Sequence, residues 1–118
     1  YAASALNQLA IDEAKLTGDI SLLPSGLLYF RNHNGKSIFT WDNERKADSS
    51  IIGLFNINLG NDVDKMLINQ AKCTVKELGD NPSWFRVIIV FGTRTSASDE
   101  AITTLQGKGY TVSVNPAL

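Results

Sequence analysis

The run Val87-Ile88-Ile89-Val90-Phe91 is apolar without a break and is built of β-branched and aromatic residues. A strand with one wet face alternates apolar and polar side chains. An unbroken run predicts a strand covered on both faces, as in a parallel sheet. Gly92 closes the run, and helical patterns lie on either side of it in sequence. It reads as the central parallel strand of an α/β sheet.

The following residues complete a β-α-β unit. Ser96 or Ser98 caps a helix that carries Asp99 and Glu100 in its first turn and Ala101, Ile102 and Leu105 on its inner face. Gly107-Lys108-Gly109 breaks that helix, and residues 110–114 form the last strand. Such a unit sets two parallel strands side by side through a right-handed crossover. Upstream, Val63, Met66, Leu67, Ala71, Val75 and Leu78 make one long amphipathic stripe, with Asp62 and Asp64 in the first turn and Gly79 at the end. Asp80-Asn81-Pro82-Ser83 turns the chain into the apolar run.

The first half reads differently. Leu6, Leu9, Ala10 and Ala14 recur at helical spacing over residues 2–16, and Thr17-Gly18-Asp19 ends the helix, with Gly18 as the residue just past the C-cap. Residues 27–32 and 37–41 flank Asn34-Gly35, the strongest two-residue hairpin signal, which places Phe30 opposite Phe39 and Leu28 opposite Trp41. Residues 42–50 read as a solvated polar loop, residues 51–55 as a short helical turn and residues 56–61 as a second loop. The predicted order is helix, hairpin, helix, strand, helix, strand. The fold class is therefore α/β: a mixed sheet with a parallel β-α-β core, helices on both faces and an antiparallel edge hairpin.

At 118 residues the chain is one domain, large enough for a core without staples. Eleven basic against twelve acidic residues leave a net charge of −1, which gives no bias toward nucleic acid. No apolar run approaches the ~18 residues of a membrane span, so membrane insertion is not expected. Cys73 is alone, which excludes an internal disulfide. Tyr1 stands where an initiator Met would, and residues 1–118 are expected to be part of a larger protein.

Ligands of open α/β sheets sit outside the carboxyl ends of the strands. Here that is Thr93, Arg94, Thr95, Ser96 and Ser98, a hydroxyl-rich loop that could hold a phosphate or carboxylate on backbone N–H groups with Arg94 as counter-charge. The plainer reading makes Ser96 and Ser98 helix caps and Arg94 a solvated side chain, and no phosphate-loop pattern argues against it. Asp42, Glu44 and Lys46 have the bare form of the metal-dependent nuclease element, two carboxylates to hold Mg²⁺ and a Lys beside them. They fall in a charged loop instead of on a strand. His33 lies at a hairpin turn and Cys73 within a helix, so neither forms a catalytic pair. No catalytic residue, metal ligand or cofactor site is expected.

Taken together, the first helix, the aromatic hairpin, Leu59-Gly60 before a long helix, Arg86-Val87-Ile88-Ile89-Val90-Phe91, and Leu105-Gln106-Gly107-Lys108-Gly109 before Tyr110-Thr111-Val112-Ser113-Val114 resemble a von Willebrand factor A-type domain. Many doubly wound domains share these motifs. The family's metal-ion-dependent adhesion site needs an Asp-x-Ser-x-Ser on a first strand, a Thr before the long helix and a late Asp. This chain starts beyond that strand, and has Asn56-Ile57-Asn58-Leu59-Gly60 and Gly92-Thr93 at the other two positions. The resemblance implies a degenerate, metal-free module that binds a protein partner, with the missing strand supplied by another segment or chain. The rival reading is a small metal-dependent nuclease or phosphate-handling enzyme.

Overall fold

The computed structural model describes residues 8–11, 18–32, 37–75 and 85–116. Their strands are β1 (Gln8–Ile11), β2 (Tyr29–Asn32), β3 (Gly53–Gly60), β4 (Val87–Gly92) and β5 (Thr111–Asn115). They form one sheet in sequential order, and every neighbouring pair is parallel. Helix α1 (Val63–Ala71) joins β3 to the stretch before β4, and α2 (Asp99–Gly107) joins β4 to β5.

The expected β-α-β unit is present, with Val87 beside Thr111 and Phe91 beside Asn115. The central strand is β3, however, and β4 lies between β3 and β5. Residues 51–61 were expected to be a helical turn and a loop. Their strand is hidden because its alternation changes phase. Phe55 pairs with Ile89 and Ile57 with Val90, which leaves Asn56 as an extra residue at a β-bulge with φ 59°. A second shift between Asn58 and Gly60 ends the strand. No fixed period of two can align Leu54, Ile57 and Leu59, all fully buried.

The expected hairpin is replaced by parallel pairing. Both edges of β2 are occupied, by β1 and by β3, so its strand has no free edge for residues 37–41. Those residues lie beyond the strand ends instead. Ile38 bridges Asn58 and Thr40 bridges Asp19, both in parallel sense. The apolar pairing survives without the hairpin backbone: the Phe30 and Phe39 rings meet edge to face at 5.3 Å. Asn34-Gly35 and His33 lie outside the described residues. Within the helix expected over residues 2–16, Gln8–Ile11 forms a strand, because Leu9-Ala10-Ile11 satisfies a sheet edge as readily as a helical stripe. The long helix ends at Ala71, which puts Cys73 just past its C-terminus.

Both described helices pack on one face of the sheet and against each other, instead of one on each face. A parallel sheet wound in sequential order, with right-handed crossovers, places every crossover on the same side. Phe30, Leu54, Ile57, Ile88 and Val90 meet Met66, Leu67, Ala101 and Leu105 in that core. On the opposite face Tyr29, Arg31, Phe55, Val87, Ile89 and Phe91 are half-buried. The sequential order also lacks the reversal that gives a doubly wound sheet its ligand crevice.

Candidate functional site

The loop after β4 begins at Gly92, whose φ of 143° brings its backbone against Gly60. Thr93 N–H donates to Gly60 O at 2.8 Å. Thr95, Ser98 and Arg94 then bond to neighbouring groups of the chain itself, though only Ser98 is buried. Thr95 N–H donates to both carboxylate oxygens of Asp64, at 2.9 and 3.1 Å, and Thr95 Oγ1 donates to Oδ2 at 2.6 Å. Burial pushes the Asp64 carboxyl up, but bonds from Ser98 and Thr95 and the Arg94 charge outweigh it and hold the group below the ordinary carboxylate value. Arg94 donates to Asp99 at 2.6 Å and to Ser98 Oγ at 3.3 Å. Thr95 caps the 3₁₀ turn Ser96–Ser98 by accepting from Ala97 N–H, while Ser98 is buried and donates to Thr95 O. The loop thus already holds an anion, the chain's own Asp64. Of the five residues singled out in the sequence, Thr95, Ser98 and Arg94 meet around it, and Thr93 and Ser96 remain exposed.

The loop of residues 41–46 has a different character. Asp42 accepts from Thr40 Oγ1 at 2.9 Å, and Asp42 N–H donates to Asp19. Asp19 also accepts from Ser21 and from Asn43 Nδ2; burial raises its pKa, and these bonds together bring it below the ordinary value. Asp42, Glu44 and Lys46 are exposed, and no group of three metal-ligating side chains occurs among the described residues. Between them lies a residue that the sequence disguises. Arg45 is only 5% exposed and points inward, donating to Leu23 O at 2.8 Å and Pro24 O at 3.0 Å. Burial lowers its pKa. Only the backbone carbonyls that the fold brings to its guanidinium distinguish it from the exposed Lys46.

Trp41 and Asn69 anchor this loop to α1. Asn69 Oδ1 accepts from Trp41 Nε1 at 2.9 Å and from Arg45 N–H at 2.7 Å, while Asn69 Nδ2 donates to Arg45 O at 3.0 Å. Trp41 N–H donates to Asp62 at 2.9 Å. Outside this anchor a cleft of about 340 Å³ runs between the loop and one flank of α1. Asp42, Asn43 and Glu44 form one wall; Lys65, Ile68 and Lys72 form the other. From Asp64 to Ala71 the helix rises seven residues, roughly 10 Å, and Lys72 follows as its C-cap. Ile68 is 36% exposed there, large enough to be unusual on a polar helix flank. A sequence signal for it existed, since Ile68 lies off the apolar stripe of the helix.

The chain matches no known family model, no curated protein and no solved structure.

Proposed function

We propose that the chain is a non-enzymatic protein-binding module that takes a short segment of a partner into the cleft beside α1. The observation that carries this reading is the cleft's arrangement: exposed Ile68 with Asp42 and Glu44 on one side and Lys65 and Lys72 on the other. An apolar centre with a polar rim is the general anatomy of a protein interface. Opposed charges on the two walls suit an extended segment bearing an apolar side chain flanked by charges of both signs. The reading needs no bound cation, in keeping with the metal-free von Willebrand A-like module that the sequence resembles. The loop after β4 supports it too, because Asp64 already takes the bonds an external phosphate would need.

Selection from a displayed peptide library tests the proposal. Enriched peptides should lose at least tenfold in affinity, about 1.4 kcal/mol, with Ile68→Asp and keep it with Leu22→Ser, an exposed residue that does not line the cleft. Absence of enrichment, or binding indifferent to Ile68→Asp, overturns it. Calorimetry with Mg²⁺, Mn²⁺ and Ca²⁺ tests the rival. Saturable binding tighter than about 1 mM, abolished by Asp42→Asn with Glu44→Gln, would favour the enzyme.

A further inference from the structure

Among the described strands β5 borders only β4. Along a strand in a parallel sheet, alternate residues turn both main-chain groups to the same neighbour. Thr111 N–H donates to Arg86 O at 3.0 Å. Thr111, Ser113 and Asn115 therefore face β4, while Val112 and Val114 turn their N–H and C=O groups to the side that no described strand occupies. Exposed edges are ordinarily guarded by Lys, Pro or a bulge. Thr111-Val112-Ser113-Val114-Asn115 carries none of these within the strand, and Pro116, directly after it, ends the run of outward N–H groups; the five pairings with β4 run without a register shift.

We propose that β5 pairs antiparallel with β5 of a second copy of this chain. The two-fold axis passes through Ser113. Val112 then exchanges both hydrogen bonds with the partner's Val114, and Val114 with the partner's Val112, four bonds in all. The strand is its own complement. It is uncharged, so no repulsion opposes pairing. Val stands opposite Val on the helix-bearing face, where Val112 and Val114 are only half-buried, and Thr111 stands opposite the partner's Asn115 on the other. The axis is perpendicular to the sheet, so both helix layers stay on one side. Two five-residue strands bury less than the roughly 1,200–2,000 Å² of a standard interface. The dimer is accordingly weak and concentration-dependent. This proposal does not depend on the cleft.

Sedimentation equilibrium across protein concentration tests it, with two variants. Val114→Pro removes an outward N–H that β4 does not use, along with a side chain packed at the core's margin, so its fold is checked by circular dichroism beside the wild type. Ser113→Lys sets two ammonium groups against each other at the axis. The wild-type chain should dimerise as concentration rises, and both variants should remain monomeric. Ser113→Lys should regain dimer in ~1 M salt, where screening shortens to about 3 Å. Amide exchange gives an independent reading: Val112 and Val114 should gain protection with concentration while Ser113, already bonded to β4, does not. A wild-type chain monomeric throughout overturns the proposal. So does a dimer that survives Ser113→Lys, or concentration-independent exchange at Val112 and Val114.

Discussion

At Gly92 a methyl group would sit 2.4 Å from the Gly60 carbonyl oxygen and 2.8 Å from Val63 Cγ2, and at Gly53 one would sit 1.8 Å from the Phe85 carbonyl oxygen. Both contacts are with backbone or packed core, so neither can relax cheaply. Gly53→Ala and Gly92→Ala should each cost about 3 kcal/mol or more by denaturant unfolding, whereas Gly26→Ala, with open space around it, should cost far less. Tyr110 gives the pH-dependent counterpart. Burial pushes its phenol up to about 12, against the opposing pull of Arg86. The folded state therefore keeps a proton that the unfolded chain sheds near pH 10. The contribution is complete below pH 10 and is lost as pH rises toward about 12. Stability measured across that window should fall in the wild-type chain and fall less steeply in Tyr110→Phe.

Side-chain amides do the work of backbone where elements meet. Gln70 Oε1 accepts from Ile52 N–H at 2.7 Å, and Gln70 Nε2 donates to Ile52 O at 2.8 Å, both fully buried. Gln70→Ala leaves two buried main-chain groups unpaired at about 1–3 kcal/mol each, and a chemical melt should register most of that. Gln70→Glu, which can accept but not donate while ionised, should be nearly as damaging. At the other end of α1, Lys108 Nζ donates to Ala71 O at 2.8 Å and Cys73 O at 3.0 Å, closing the helix terminus. At the start of α1, Asp64 ties the helix to the loop after β4. Its lowered pKa means that this tie is present above the ordinary carboxylate range and is lost as pH falls through the lower, folded-state value. Asp64→Asn should therefore flatten the acid limb of the stability profile. Helix periodicity made α1 and α2 legible, but the amides at Asn69 and Gln70 read as ordinary polar positions because their partners lie 18 or more residues away.

The whole sheet is one-sided with respect to the described helices. Ile88 is fully buried against them, while Ile89 is half-buried on the opposite face. Ile88→Ala should cost roughly 2–5 kcal/mol, and Ile89→Ala distinctly less, in equilibrium unfolding. Equal costs would mean that both faces are equally enclosed. The unbroken apolar run could not distinguish these cases, because it records that both faces are apolar and not what covers each.

By itself the sequence determined the α/β class, the β4-α2-β5 unit, the start of α1 and the apolar cluster of Phe30, Phe39 and Trp41. Each depends on periodicity or composition within a short window. Tertiary structure decided the rest. A strand interrupted by a bulge at Asn56 has no constant period, and parallel pairing of β2 is invisible locally because both its partners are distant in sequence. The destination of a polar side chain follows the same logic. Arg45 looks solvated and Asp64 looks like a helix-start residue in the chain, and both are engaged in the fold, because the carbonyls around one and the Thr95 groups around the other come from remote segments.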